Sequence, residues 1–117
     1  EALLGLVNGA SLGLGAEILT ADASLEGDVS GAYTSDLLSD VIANSKENQL
    51  WITLQTHQNV VAVAKLKDLA GIIIVNNREP EEETLRKANA EGIVVFQTPD
   101  SAFVISGRLY RALNPGG

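Results

Sequence analysis

Leu50-Trp51-Ile52-Thr53-Leu54-Gln55-Thr56-His57-Gln58-Asn59, running on into Val60-Val61-Ala62-Val63-Ala64, decides the fold of this chain. A short apolar run closed by polar residues reads as a buried strand, and the second apolar run reads as a helix. A step of 21 residues places the same pattern on Gly71-Ile72-Ile73-Ile74-Val75-Asn76-Asn77-Arg78, and another on Gly92-Ile93-Val94-Val95-Phe96-Gln97-Thr98-Pro99. One step upstream, Val29 to Tyr33 leads into Thr34, Ser35 and Asp36. The repeating unit is strand, turn, helix. A leucine-rich repeat has a similar period, but the helices here are too long and the leucine spacing is missing. The pattern predicts an α/β fold: a single three-layer domain over residues 1–117, with a mainly parallel sheet of about four to five strands and helices on both faces. Right-handed crossovers then gather every polar tip on one edge of the sheet.

Composition agrees with this architecture. Hydrophobic residues make up 45% of the 117, and the only aromatics are Tyr33, Trp51, Phe96, Phe103 and Tyr110. The core must therefore be Val, Ile, Leu and Ala, as in parallel sheets covered on both faces. Fifteen acidic against eight basic side chains give a net charge of −7, which repels phosphate backbones and excludes nucleic acid as a partner. Without cysteine there is no disulfide framework or thiolate site, and one histidine cannot build a zinc site of imidazoles. No metal or cofactor is expected. The absence of cysteine fits a cytoplasmic protein. No run approaches the ~18 apolar residues of a membrane span, since Lys65, Lys67 and Asp68 interrupt the longest candidate. The chain opens on Glu1 rather than Met, which fits trimming or excision from something longer.

Along the chain, residues 1–15 read as the end of a helix and a Gly-rich turn. Gly13 and Gly15 form a G-x-G that lacks the third glycine of a dinucleotide loop, and no Walker Lys-Ser/Thr follows. Glu17 to Thr20 reads as a short strand and Ala21 to Asp28 as a connecting loop. Ser35 or Asp36 is placed to cap a helix whose apolar face is Leu37, Leu38, Val41 and Ile42. The helix after His57 has almost no polar face, so it needs cover on two sides; a neighbouring helix or a second subunit would supply the second, and homodimerisation is the expectation. Glu79-Pro80-Glu81-Glu82-Glu83 opens a surface helix with carboxylates at the positive end of its dipole, and Gly92 stops it. Thr98-Pro99 opens a last helix with Ala102, Ser106, Leu109, Tyr110 and Leu113 on one face, and residues 114–117 form a tail.

The carboxyl ends of parallel strands are where open sheets usually bind ligands. The tips offer Ser35, Asp36, Gln55, Thr56, His57, Asn76, Asn77, Arg78 and Thr98, with helix starts adding free amides and Arg78 a charged fork. These suit a small anionic metabolite or nucleotide. The same residue types also serve as caps and turn formers. His57 reads first as a turn residue; Asp36 is placed to orient its imidazole, but no nucleophile stands beside them, so no catalytic residue is assigned.

Gly31-Ala32-Tyr33-Thr34-Ser35-Asp36-Leu37-Leu38-Ser39-Asp40-Val41, Trp51-Ile52-Thr53-Leu54-Gln55-Thr56-His57 and Asn59-Val60-Val61-Ala62-Val63-Ala64 together resemble the DRTGG domain family. The resemblance spans roughly residues 15 to 113. The namesake letters fall on Asp28-Val29-Ser30-Gly31-Ala32 and match only at Asp28 and Gly31. It implies a small α/β domain similar to the N-terminal domain of HPr kinase. Such domains accompany phosphotransacetylases and CBS-containing pyrophosphatases or stand alone. It further implies a regulatory or assembly module without catalytic residues of its own, binding a ligand or a protein partner. A second, shorter likeness joins Thr56-His57-Gln58-Asn59-Val60-Val61-Ala62 to phosphohistidine swivelling domains, in which a histidine at a helix start carries phosphate. Here Thr56 adjoins His57 directly, unlike that motif.

Overall fold

Strand residues alternate between two cores with period two, which sets the layers of the molecule. In the computed structural model, residues 16–20 and 29–114 are described. The expected helix and turn of 1–15, the loop of 21–28 and the last three tail residues lie outside them. The strands are β1 (Glu17–Ile18), β2 (Gly31–Thr34), β3 (Gln49–Thr53), β4 (Gly71–Ile74) and β5 (Val94–Gln97). The helices are α1 (Leu38–Asn44), α2 (Asn59–Leu66), α3 (Glu82–Glu91) and α4 (Ala102–Leu113). They form one five-stranded sheet of order β1-β5-β4-β3-β2, parallel except for β1 against β5. The central pair is β3 and β4, whose residues from Leu50 to Thr53 and Gly71 to Ile74 are buried.

Four parallel strands in consecutive order make a singly wound sheet. Connections of one hand between successive neighbours must then pass over the same face. Trp51, Ile72, Ile74 and Val95 accordingly form one core with Val41 of α1, Val60, Val61, Val63 and Ala64 of α2, and Ala88 of α3. Leu50, Ile52, Ile73, Val94 and Phe96 point the other way, against Ile105 and Leu109 of α4. Helix α4 returns across that second face to lie over β2 and β3. The three layers are thus three helices, a sheet and one helix.

The repeat is less regular than its sequence. Gly31 pairs opposite Gln49, Leu50 opposite Gly71 and Gly71 opposite Val94, so the steps between neighbours are 18, 21 and 23 residues. Only the central step keeps the sequence period. The helices also start later than the polar residues suggest: the N-caps are Leu37, Gln58, Glu81 and Ser101. Ser101 alone among them accepts a side-chain cap bond, from the Val104 amide at 3.3 Å. Asp36 does not cap α1, because its carboxylate is drawn instead to β3. Gly92 ends α3 in the left-handed region at φ 74°, which a residue with a Cβ adopts only at a cost.

One expectation about the helices is met by one of its two alternatives, and another is revised. Helix α2 does have its second side covered, and the cover is α1 and α3 of the same chain. Its apolar run therefore does not by itself require a second subunit. In α4 the buried face is Ile105 and Leu109, with Ala102, Ala112 and Leu113 partly buried, whereas Tyr110 is 64% exposed. Leu109 and Tyr110 are adjacent, about 100° apart around the helix, so both cannot sit at the centre of one face.

Candidate functional site

The carboxyl edge of the sheet holds the tips together by bonds from one strand's end to the next. At the β2 and β3 ends, Asp36 Oδ1 accepts from Thr53 Oγ1 at 2.9 Å and from the Leu54 amide at 2.7 Å. Gln55 Nε2 donates back to the Asp36 carbonyl at 2.7 Å. The buried Trp51 indole N–H donates to the Ser35 carbonyl at 2.8 Å, pinning the same turn from below. Ser35, Asp36 and Gln55 therefore form one group, and each spends polar atoms on structure.

In the middle of the edge, the Thr56 carbonyl accepts from the Glu81 amide at 3.1 Å and from the buried Thr84 Oγ1 at 2.7 Å. These bonds tie the end of β3 to the start of α3. His57 is exposed and precedes the helix by two residues; its Nδ1 accepts from the Asn59 amide at 3.1 Å. No hydrogen bond joins it to Asp36 among the described residues.

The β4 and β5 ends make the third group. Asn76 and Asn77 are both left-handed, at φ 59° and 56°, a conformation asparagine tolerates better than most residues. Their amides donate across to the carbonyls of Asp100 at 2.9 Å and Thr98 at 2.8 Å. Gln97 Nε2 donates to the Arg78 carbonyl at 2.9 Å. Thr98 is fully buried, and its hydroxyl accepts from the Asp100 amide at 3.2 Å. The side chains of Asn76, Asn77 and Arg78 are left facing solvent. Arg78 has no side-chain hydrogen bond or ion pair among the described residues.

This third group has a topological property the others lack. The chain leaving β4 goes to α3 on one face, and the chain leaving β5 goes to α4 on the other. Divergence of neighbouring loops to opposite faces opens the crevice in which open α/β sheets hold ligands. Everywhere else along the parallel strands the loops turn the same way. Asn76, Asn77 and Arg78 flank this point, with Asp100 and its partner Arg108, 2.8 Å apart, on the far side.

No family model matches the chain, and no curated protein matches it either. Among solved structures it is similar to the CBS and DRTGG domains of the regulatory region of Clostridium perfringens pyrophosphatase, solved with the activator diadenosine tetraphosphate. The likeness has a TM-score of 0.66 at 17% sequence identity and covers 86% of this chain and 44% of that one. The fold is DRTGG-like. The chain thus spans less than half the length of the structure it matches, and the likeness is one of fold.

A cluster not anticipated from the sequence lies on the outer side of the domain, at the edge strand β2. Tyr33 Oη donates to the Asp40 carboxylate at 2.9 Å, and Asn44 Nδ2 donates to Asp40 Oδ1 at 2.8 Å. Hydrogen bonds from Ser35, then Asn44 and Tyr33, hold the Asp40 carboxyl below the ordinary aspartate range. Its carboxylate in turn pushes the Tyr33 phenol up, with partial burial adding to the effect. The sequence signal was available: Asp40 and Asn44 are one helical turn apart, in line with a tyrosine on the preceding strand. Among the described residues no group of three or more His, Asp or Glu is arranged to hold a metal, and no helix is long and apolar enough to cross a membrane.

Proposed function

We propose that this domain is a non-catalytic regulatory or assembly module of the cytoplasm that binds a small anionic or nucleotide-like ligand, or a protein partner, and self-associates. The observation that carries the ligand reading is the divergence of the β4 and β5 loops at Asn76, Asn77 and Arg78. Arg78 supplies a planar fork of donors matched to phosphate or carboxylate, and the two asparagines supply neutral donors and acceptors beside it. Ser35, Asp36, Gln55, Thr56, His57 and Thr98 support the edge on which that ligand rests. Their bonds to the strand ends and turns around them favour preorganised binding over chemistry. The likeness to a regulatory region solved with a nucleotide activator supports the same class of function for this chain.

The mechanism is a shift of populations. A ligand bridging Asn76–Arg78 to the β5 loop would favour whichever arrangement of α3, α4 or subunits keeps the two loops together. A thermal-shift screen of adenine nucleotides, dinucleoside polyphosphates and central metabolites tests it. A ligand at a hundred times its dissociation constant adds about 2.7 kcal/mol of stability, which Arg78→Ala should largely remove. A flat screen would instead favour docking of a protein partner alone.

A further inference from the structure

We propose that α4 is the seam of a symmetric homodimer in which two copies of the helix pack antiparallel through Phe103, Gly107, Tyr110 and Arg111. This names a surface for the self-association in the reading above and rests on that reading. At 100° per residue these four side chains lie opposite the buried Ile105 and Leu109, along the outer line of the helix. Phe103 is 88% exposed and Tyr110 64%, the two aromatics of the described surface given most fully to water. With Val104 and Gly107 they line an open apolar recess on the outside of the helix.

Gly107 is the less expected part of this face. It sits in the middle of a twelve-residue helix, where glycine is disfavoured relative to alanine, and a Cβ there would meet no atom within 4 Å beyond its own helix backbone among the described residues. Nothing among the described residues calls for it. Flanked by Phe103 one turn before and Tyr110 one turn after, it forms a notch that lets a second backbone approach.

The face is complementary to itself, as a two-fold contact requires. Antiparallel pairing centred on Gly107 sets Phe103 opposite Arg111 of the second copy and Val104 opposite Tyr110. Ring and guanidinium then attract each other in both directions. The two Arg111 positions, eight residues apart along the pair, are separated by roughly 12 Å at 1.5 Å per residue, beyond the ~8 Å screening length of physiological salt.

Among two-fold contacts, in which each face meets itself, charge favours this one over the acidic remainder of the chain. The chain carries a net charge of −7, yet residues 101–114 contain no acidic side chain, and neighbouring Asp100 is held by Arg108. At about 200 Å² per aromatic side chain, the exposed parts of Phe103 and Tyr110 come to roughly 600 Å² over both copies. Val104, Gly107 and the Arg111 stem bring this toward the ~1,000 Å² of a specific interface.

Sedimentation velocity on the 117-residue chain and two variants tests the seam. The wild type is expected to sediment as a dimer at tens of micromolar and to dissociate on dilution. Phe103→Glu, at a position that makes little contact with its own chain, should be monomeric at 100 µM with an unchanged circular dichroism spectrum. Gly107→Ala should raise the dimer dissociation constant at least tenfold while the monomer melts no lower. A dimer that survives Phe103→Glu undiminished overturns the seam and leaves self-association standing on another surface. A wild type monomeric at 100 µM overturns both and leaves the face to a different partner.

Discussion

Helices α2 and α4 invite comparison because each carries more apolar surface than one sheet face can cover. In α2 most of the surplus is closed within the chain: Val60, Val61, Val63 and Ala64 are buried between the sheet, α1 and α3, and Leu66 at the helix end is left 66% exposed. In α4 it is not, and Phe103 and Tyr110 stand outside. The helices differ less in composition than in position. Three crossovers in a row crowd one face of a singly wound sheet, and among the described residues α4 is the one helix on the other. An apolar helix is therefore no guide to an interface until its neighbours are known.

The strongest way to break this contrast is to place the same charge in each helix. Val61→Asp buries an unpaired carboxylate at a fully enclosed site and should cost upwards of ~4 kcal/mol, approaching the whole stability of a domain this size. Phe103→Glu should leave the monomer within ~0.5 kcal/mol of the wild type. Urea denaturation followed by circular dichroism reads both. Similar costs at the two sites would mean that α4's outer face is buried within the monomer.

Trp51→Phe is the next largest change, at about 2–3 kcal/mol, since it leaves a void beneath α1 and α2 and removes the indole donor to the Ser35 carbonyl. Loss of that donor should also loosen the Ser35–Asp36 turn, visible as faster amide exchange at Leu54.

Two glycines sharpen the comparison with opposite signs. Gly92→Ala forces a Cβ into the left-handed cap of α3 and should destabilise by about 1 kcal/mol. Gly107→Ala, measured below the concentration at which the chain associates, should stabilise by up to ~1 kcal/mol, because a helical position with open space gains from alanine. Thermal melts of the two variants at one micromolar separate them.

The smallest effect is the pH dependence of the β2–α1 cluster. Asp40 has its pKa lowered in the folded chain, so its contribution is complete above the unfolded value near 3.9 and is lost as pH falls through the lower folded value. Tyr33 is raised, so its contribution is present below about 10 and is lost as pH climbs through the higher folded value. Asp40→Asn should flatten both limbs of the stability profile together. A profile in which only one limb responds would separate the two residues.

Much of this architecture was legible in the residues. The runs at Leu50–Leu54, Ile72–Val75 and Ile93–Phe96 marked the strands because a strand buried on both faces has no polar member to confuse its limits. Gly92 marked the end of α3 because only the left-handed cap needs it there. The helix starts were displaced by one or two residues because Asp36 and His57, both good cap types, are taken by other partners: Thr53 and Leu54 for the first, the Asn59 amide for the second. The outer face of α4 was misplaced because Tyr110 is one residue beyond the buried Leu109, and amphipathic spacing alone does not say which of two adjacent apolar residues faces inward. The divergence of the chain after β4 and β5 to opposite faces was beyond the sequence altogether. It depends on the face to which each loop turns, and the strand patterns of β4 and β5 are the same.

Hydrogen–deuterium exchange at two protein concentrations tests the contrast most directly. Between one and one hundred micromolar, peptides covering Ala102–Leu113 should become more protected while those covering Asn59–Leu66 stay unchanged. Protection that rises in α2 and not in α4, or in neither helix, would contradict the account.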